Sequence, residues 1–376
     1  MKYHQSNVVA FLWFLFGFSL MILVESEKTS DPFYVIAHMA NNRKSLDWAV
    51  SQGANGIESD FQFNDDGNPT IVEHGGGIVC DCACPVGKNH ICHNGLGRQC
   101  QGSKASNDAA AHVQHVARLK GVALFIVDSK VEAKWGGRLI KAGAAIVPFL
   151  DKNLFKYGYK GKVVIGTSKM NTYDYIQAAV VAANSSTNRE RYFFTFDGAG
   201  DDYNGAMTTL SRLTNNRVYG TGITSCLGET FYGAIEAAVV GKIKGENGLN
   251  YIWTLDKESS MQNYINRGVQ GIITNRIGLA KKVAISMKLT MAKPSTPIPV
   301  SKLSESSIDK CDCDYHPGGC IISWPAPSGK ACQCTYKLLW TCEGSLVACD
   351  ASLPKCSKPD ESKEACELGK GDCDGY

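Results

Sequence analysis

No stretch of this sequence is strongly basic, and its charges nearly cancel: 39 Lys and Arg against 36 Asp and Glu, a net charge of +3. Without lysines and arginines interleaved with aromatics, the charge pattern excludes a nucleic-acid partner. A glycine-rich nucleotide turn is also missing. Gly75-Gly76-Gly77 is the only candidate near the first strands, but it lacks the GxGxxG spacing and no helical pattern follows it directly. An open, doubly wound dinucleotide-binding sheet, the alternative fold for this chain, therefore loses its main support.

One long apolar run is present, VVAFLWFLFGFSLMILV from Val8 to Val24, with Lys2 ahead of it and Glu25, Ser26 and Glu27 closing it. The run predicts a secretory signal peptide over residues 1–25, leaving no transmembrane segment in the mature chain. A signal anchor is the alternative, because the run approaches the length that spans a bilayer. The 16 cysteines agree with export to an oxidising compartment. Six of them (Cys80, Cys82, Cys84, Cys92, Cys100 and Cys226) fall in the main body and ten crowd between Cys311 and Cys373, both even numbers. Zinc is the alternative for Cys80, Cys82, Cys84, His90, Cys92 and His93, but export favours disulfides. Asn184-Ser185-Ser186 is an N-glycosylation sequon.

After the leader, strand-like and helix-like runs alternate. Strands are expected at Phe33 to Met39, Gly56 to Phe63, Gly121 to Lys130, Lys162 to Ser168, Arg191 to Asp197, Val218 to Ile223, Tyr251 to Asp256 and Val269 to Asn275. A helical pattern follows each, and a short extended piece, TIVEH, follows the second. Runs such as GVALFIVD, apolar on both faces, suit buried parallel strands. Eight strand–helix units over this length predict an α/β fold, a TIM (β/α)8 barrel over residues 32–290. The Pro-, Ser- and Thr-rich sequence AKPSTPIPVSKLSESS predicts a linker over 291–310. Residues 311–376 then read as a small C-terminal module, rich in disulfides and poor in aliphatic core.

In GANGIESDFQF, Glu58 and Asp60 lie two apart on a strand and so project from the same face, as Mg²⁺ ligands would. An acidic solvent-facing strand edge is the bland alternative. A barrel builds its site at the C-terminal ends of its strands. That rule gathers His38, Glu58, Asp60, Asp128, Lys130, Trp253, Asp256 and Asn275 at one mouth, with His74 in the loop after the second strand. Carboxylates, histidines and a lysine together suit phosphodiester chemistry, in which a metal and the lysine neutralise phosphate charge and the histidines move protons. Taken singly, His38 could be a core histidine, Asp128 and Lys130 a surface ion pair, and Trp253 a core residue. His112 and His115, three apart on a presumed helix, belong on a solvated face, and the other histidines receive no role.

These residues resemble the sphingomyelinase D/phospholipase D family of spider venoms, the dermonecrotic toxins, themselves related to glycerophosphodiester phosphodiesterases. The likeness runs through AHMANN, GANGIESDF, HGGGIVCD, FIVDSK, YIWTLDK and GVQGIITN, in the family's order, over Phe33 to Ala284. It implies one Mg²⁺ held by Glu58, Asp60 and Asp128, with His38 as nucleophile or base and His74 as general acid. It implies that Lys130, Trp253, Asp256 and Asn275 line the phosphate and headgroup pocket. The expected activity is cleavage of the headgroup from sphingomyelin and lysophospholipids at a membrane surface, the lipid's own hydroxyl giving a cyclic phosphate. The resemblance further implies a secreted toxin-like monomer with Cys80 paired to Cys92 and Cys82 to Cys226.

Three departures stand out. The loop from Cys82 to Cys100 is longer than the family's, the tail has no counterpart in the typical venom enzyme, and the family's C-terminal segment ending in Asp-Asn-Pro-Trp, which packs under the barrel, is absent. Two other readings remain open. A glycerophosphodiester phosphodiesterase acting on soluble diesters would show His-Arg-Gly after the first strand, where this chain has His38-Met39-Ala40. A non-catalytic secreted binding module would not need the full set of acids and bases.

Overall fold

The computed structural model describes residues 31–75, 106–198, 202–223 and 230–301, together with the backbone of four short strands between 323 and 348. Eight parallel strands form its centre: β1 (Tyr34–Ala37), β2 (Gly56–Phe63), β4 (Leu124–Ser129), β5 (Lys162–Thr167), β6 (Tyr192–Phe196), β7 (Tyr219–Gly222), β8 (Asn250–Trp253) and β9 (Gly271–Thr274). Their order is β6-β5-β4-β2-β1-β9-β8-β7. A parallel bridge between Phe194 and Arg217 joins the two ends, giving a nearly closed barrel. The short β3 (Pro69–Val72), the expected TIVEH piece, lies outside this ring, antiparallel to β2.

The strands are apolar on both faces because both faces are covered. Tyr34, Ile36, Leu124, Ile126, Val164, Phe193, Tyr251 and Ile273 form an inner cluster. Val35, Ile57, Phe61, Phe125, Val127, Val163, Ile165 and Phe194 pack into a larger cluster with the surrounding helices. Side chains alternate along a strand, so each inner column continues upward by steps of two. Ile36 leads to His38, Ile126 to Asp128, Phe193 to Asp197, Tyr251 to Trp253 and Ile273 to Asn275. Glu58 and Asp60 stand opposite Ile57, Ser59 and Phe61 and face inward too. The inner columns are apolar along their middle and polar at the C-terminal end, while at the base buried Asn55 accepts from Val35 N and buried Gln270 from Asn250 N.

The first helix, α1 (Arg43–Gln52), starts where Asn42 and Ser45 form a capping box and stops at Gly53, whose φ of +98° suits glycine. Around the barrel follow α2 (Ala109–Arg118), α3 (Gly137–Leu150), α4 (Tyr173–Asn184), α5 (Tyr203–Ser211), α6 (Tyr232–Lys244), α7 (Glu258–Asn266) and α8 (Ile277–Ser286). On α2 neither histidine is simply solvated: His115 is half-buried with Nε2 2.6 Å from Asp47 Oδ1, and His112 is buried. Ala109, His112, Val113 and Val116 form the buried stripe. His112 is 3% exposed, and burial pushes its pKa down to about 3.

The start of the expected linker is not open chain. Met291 bridges Phe33, Ala292 and Ile298 are buried against the inner cluster, and Ser301 N donates to Asn215 O at 2.8 Å. Residues 290–301 close the base of the barrel. A few apolar side chains suffice, despite the proline-rich composition. Beyond them, β10 (Ser323–Pro325), β11 (Ala331–Thr335), β12 (Leu339–Cys342) and β13 (Ser345–Ala348) make a four-stranded antiparallel sheet in chain order. The expected signal peptide, and Cys80, Cys82, Cys92 and Cys226, lie outside the described residues.

Candidate active site

The mouth is organised by pairing β2 with β4, which sets Asp60 opposite Asp128. Glu58, Asp60 and Asp128 each place a carboxylate oxygen within 4.8 Å of the others, a group that could hold a metal ion. Lys130 bridges two of them, with Nζ 2.7 Å from Asp60 Oδ1 and 2.5 Å from Asp128 Oδ2. One lysine does not balance three carboxylates. Burial, and then the nearby charges of Asp60 and Asp128, push the Glu58 carboxyl well above its ordinary range. Burial acts the same way on Asp60, but Lys130, His74 and a bond from Asn41 outweigh it and hold that carboxyl below its usual value. Burial would lower Lys130, yet Asp128 and Asp60 raise its pKa overall.

Glu58 Oε2 accepts from Met39 N at 2.5 Å. Its other oxygen, Oε1, is buried without a hydrogen-bond partner. A buried carboxylate oxygen in that condition is costly unless a cation or water completes it. The donor set, three hard oxygens on two adjacent strands, suits Mg²⁺ or a similar cation.

His38 leaves β1 directly above the inner column, and its Nδ1 lies 3.1 Å from Asn275 Oδ1. Asn275 in turn donates through Nδ2 to Asp256 Oδ2 at 2.9 Å and through its backbone N to Asp256 Oδ1 at 2.8 Å. This bonding assigns the proton of neutral His38 to Nδ1 and leaves Nε2 as a bare base. Asp256 and Asn275, expected on the resemblance to line the pocket, are thus joined to His38. His74 follows β3, its segment held by Gln62 Nε2 on the carbonyls of Glu73 and His74, each at 3.1 Å. It is near enough to Asp60 to help keep that carboxyl ionised. Trp253, half-buried at the end of β8, donates through Nε1 to the backbone oxygen of Asp197 at 2.9 Å.

Two residues of this mouth escaped the sequence reading. Asp197 ends β6, accepts from Tyr251 OH at 2.8 Å, and is pushed up to about 7 by burial and by Asp128. Its position, a carboxylate closing a barrel strand, was the available signal. Asn41 bonds Asp60 twice, and no spacing rule marks it. Asn184, the sequon asparagine, is exposed at the end of α4, away from these groups in sequence and element.

An α/β barrel with this acid-and-histidine mouth suits phosphodiester chemistry, and the family the chain matches makes it an enzyme of the phospholipase D type. The chain belongs to the dermonecrotic toxin family: the family described as "Dermonecrotic toxin SPH" matches residues 28–291. Dermonecrotic toxin LgSicTox-alphaIC1 of Loxosceles gaucho is 27% identical over 262 residues, covering 65% of this chain and 86% of the toxin. LarSicTox-betaID1 of Loxosceles arizonica is 24% identical over 265 residues, covering 66% and 86%. Among solved structures, a Silicibacter pomeroyi protein described as a glycerophosphoryl diester phosphodiesterase superposes with a TM-score of 0.50 at 11% identity, over 70% of this chain and 96% of that one. The two share the fold.

Proposed function

We propose that this chain is a secreted, Mg²⁺-dependent phospholipase D-like lyase. It removes the headgroup from sphingomyelin and lysophospholipids at a membrane surface, the lipid's own hydroxyl displacing the headgroup to leave a cyclic phosphate. The observation that carries this reading is the unpartnered Glu58 Oε1 beside Asp60 and Asp128, in the mouth where Asn275 holds His38 by Nδ1. Membership of the dermonecrotic toxin family supports it.

Held by Glu58, Asp60 and Asp128, Mg²⁺ would neutralise charge on the phosphate oxygens. His38 Nε2 takes the proton of the attacking hydroxyl as the new oxygen–phosphorus bond forms. His74 gives a proton to the headgroup oxygen as its bond to phosphorus breaks. Lys130 offsets phosphate charge from between Asp60 and Asp128, and Trp253 offers an aromatic face to a cationic headgroup. Asp256 and Asn275 act through His38, whose ring they orient.

Secretion rests on the leader sequence over residues 1–25. Among the described residues no helix is long and apolar enough to cross a membrane. The mature protein is proposed as a monomer carrying a glycan on Asn184 and disulfides Cys80–Cys92 and Cys82–Cys226. Non-reducing peptide mapping checks both pairings. The activity is tested by headgroup release from sphingomyelin: turnover that stops with chelator and returns with Mg²⁺ supports the proposal, and turnover indifferent to chelation counts against it.

A further inference from the structure

The loop between β1 and α1 is stitched to β2 at successive residues. Met39 N donates to Glu58 Oε2, Ala40 N to Glu58 O at 3.0 Å, and Ser59 Oγ to Ala40 O at 3.0 Å. Asn41 closes the series with two bonds to one residue: Asp60 N donates to Asn41 Oδ1 at 2.9 Å, and Asn41 Nδ2 donates to Asp60 Oδ2 at 2.6 Å. Asn41 is 6% exposed and Asp60 1%.

We infer that Asn41 is a positioning residue for the metal centre, setting the plane of the Asp60 carboxylate for a divalent cation. The inference rests on the metal reading above. Its physical basis is the closed ring that the two bonds make. Asn41 Oδ1 is fixed to the backbone of the residue whose side chain Nδ2 holds, so the carboxylate is locked relative to its own strand. Lys130 cannot do this. It bridges Asp60 Oδ1 and Asp128 Oδ2, and so ties one carboxylate to another rather than to its own strand. Asn41 holds Oδ2 and leaves Oδ1 outside the ring. Hydrogen-bond partners that orient a metal ligand typically alter metal affinity about 10- to 100-fold when removed.

The test is Mn²⁺ binding to the full secreted chain, stripped of metal, followed by electron paramagnetic resonance, with Mn²⁺ as the oxygen-preferring stand-in for Mg²⁺. Two variants are compared with wild type, each with its thermal midpoint measured. Asn41→Ala removes both bonds and is expected to weaken Mn²⁺ binding about 10- to 100-fold. Asn41→Asp keeps the acceptor for Asp60 N but opposes Asp60 Oδ2 with a second carboxylate, and it decides the matter if the alanine variant fails to fold. Positioning predicts weaker binding for Asn41→Asp despite its extra negative charge. A purely electrostatic role predicts tighter binding, and a purely structural one predicts a lowered midpoint with Mn²⁺ affinity unchanged; either overturns the inference. Wild-type protein that binds no Mn²⁺ would overturn the metal reading itself, a different failure from equal binding by wild type and variants.

Discussion

Asn275 offers its side-chain oxygen to His38 Nδ1 at 3.1 Å because its amide nitrogen is already committed to Asp256 Oδ2 at 2.9 Å. In the proposed reaction this relay decides which nitrogen of His38 acts as base. Asn275→Leu removes the acceptor and lets His38 adopt the wrong tautomer, so kcat should fall about 100-fold or more. Mn²⁺ affinity should stay at the wild-type value, since Asn275 is not among the three carboxylates. Steady-state kinetics alongside metal titration check the split.

Glu58 sits among like charges with one oxygen unpartnered. Glu58→Gln keeps the shape and removes the charge. The metal-free variant should melt above metal-free wild type, by about 2–4 °C for each kcal/mol of repulsion relieved. Mg²⁺ should raise the midpoint of wild type by mass action and leave the variant unmoved. Melting curves with and without Mg²⁺ measure both effects.

His112 donates from Nε2 to Ser59 Oγ at 3.1 Å, because the hydroxyl gives its own proton to Ala40 O. Burial lowers its pKa from 6.5 to about 3. The folded protein therefore binds fewer protons than the unfolded chain between these values, and stability falls as pH drops from 6.5 towards 3. A shift of this size amounts to about 5 kcal/mol when complete. In His112→Gln the slope over that window should flatten, as read from urea midpoints at several pH values.

Closure of the barrel base by residues 290–301 predicts an asymmetry between neighbours. Ile298 is 5% exposed and Val300 54%. Ile298→Ala should cost about 2–5 kcal/mol and Val300→Ala about 0.5 or less, by denaturant unfolding.

The eight barrel strands were legible because burial on both faces leaves uniform apolar runs, and the period of two that carries Ile36 to His38 or Ile273 to Asn275 also carries the site. What the sequence concealed depended on contacts across elements. Asn41 matters only because β2 brings Asp60 beside it, nineteen positions away in the chain. The role of Asn275 rests on bonds to two other strand ends. His112 was misjudged although its phase was visible, since Ala109, Val113 and Val116 mark one stripe that includes it and leaves out His115. The base segment looked like a linker because composition counts prolines and serines, while buried Ala292 and Ile298 and backbone bonds such as Ala292 N to Phe33 O hold it in place.

The proposed reaction is an intramolecular displacement at phosphorus run by His38 and His74. Phosphorus NMR of the purified protein with sphingomyelin and lysophosphatidylcholine follows that displacement at the reacting atom. A cyclic phosphate signal should appear with Mg²⁺, vanish with chelator, and fail to appear with folded His38→Ala or His74→Ala. Full turnover by either variant, or hydrolysis of glycerophosphocholine while both lipids remain intact, would contradict it.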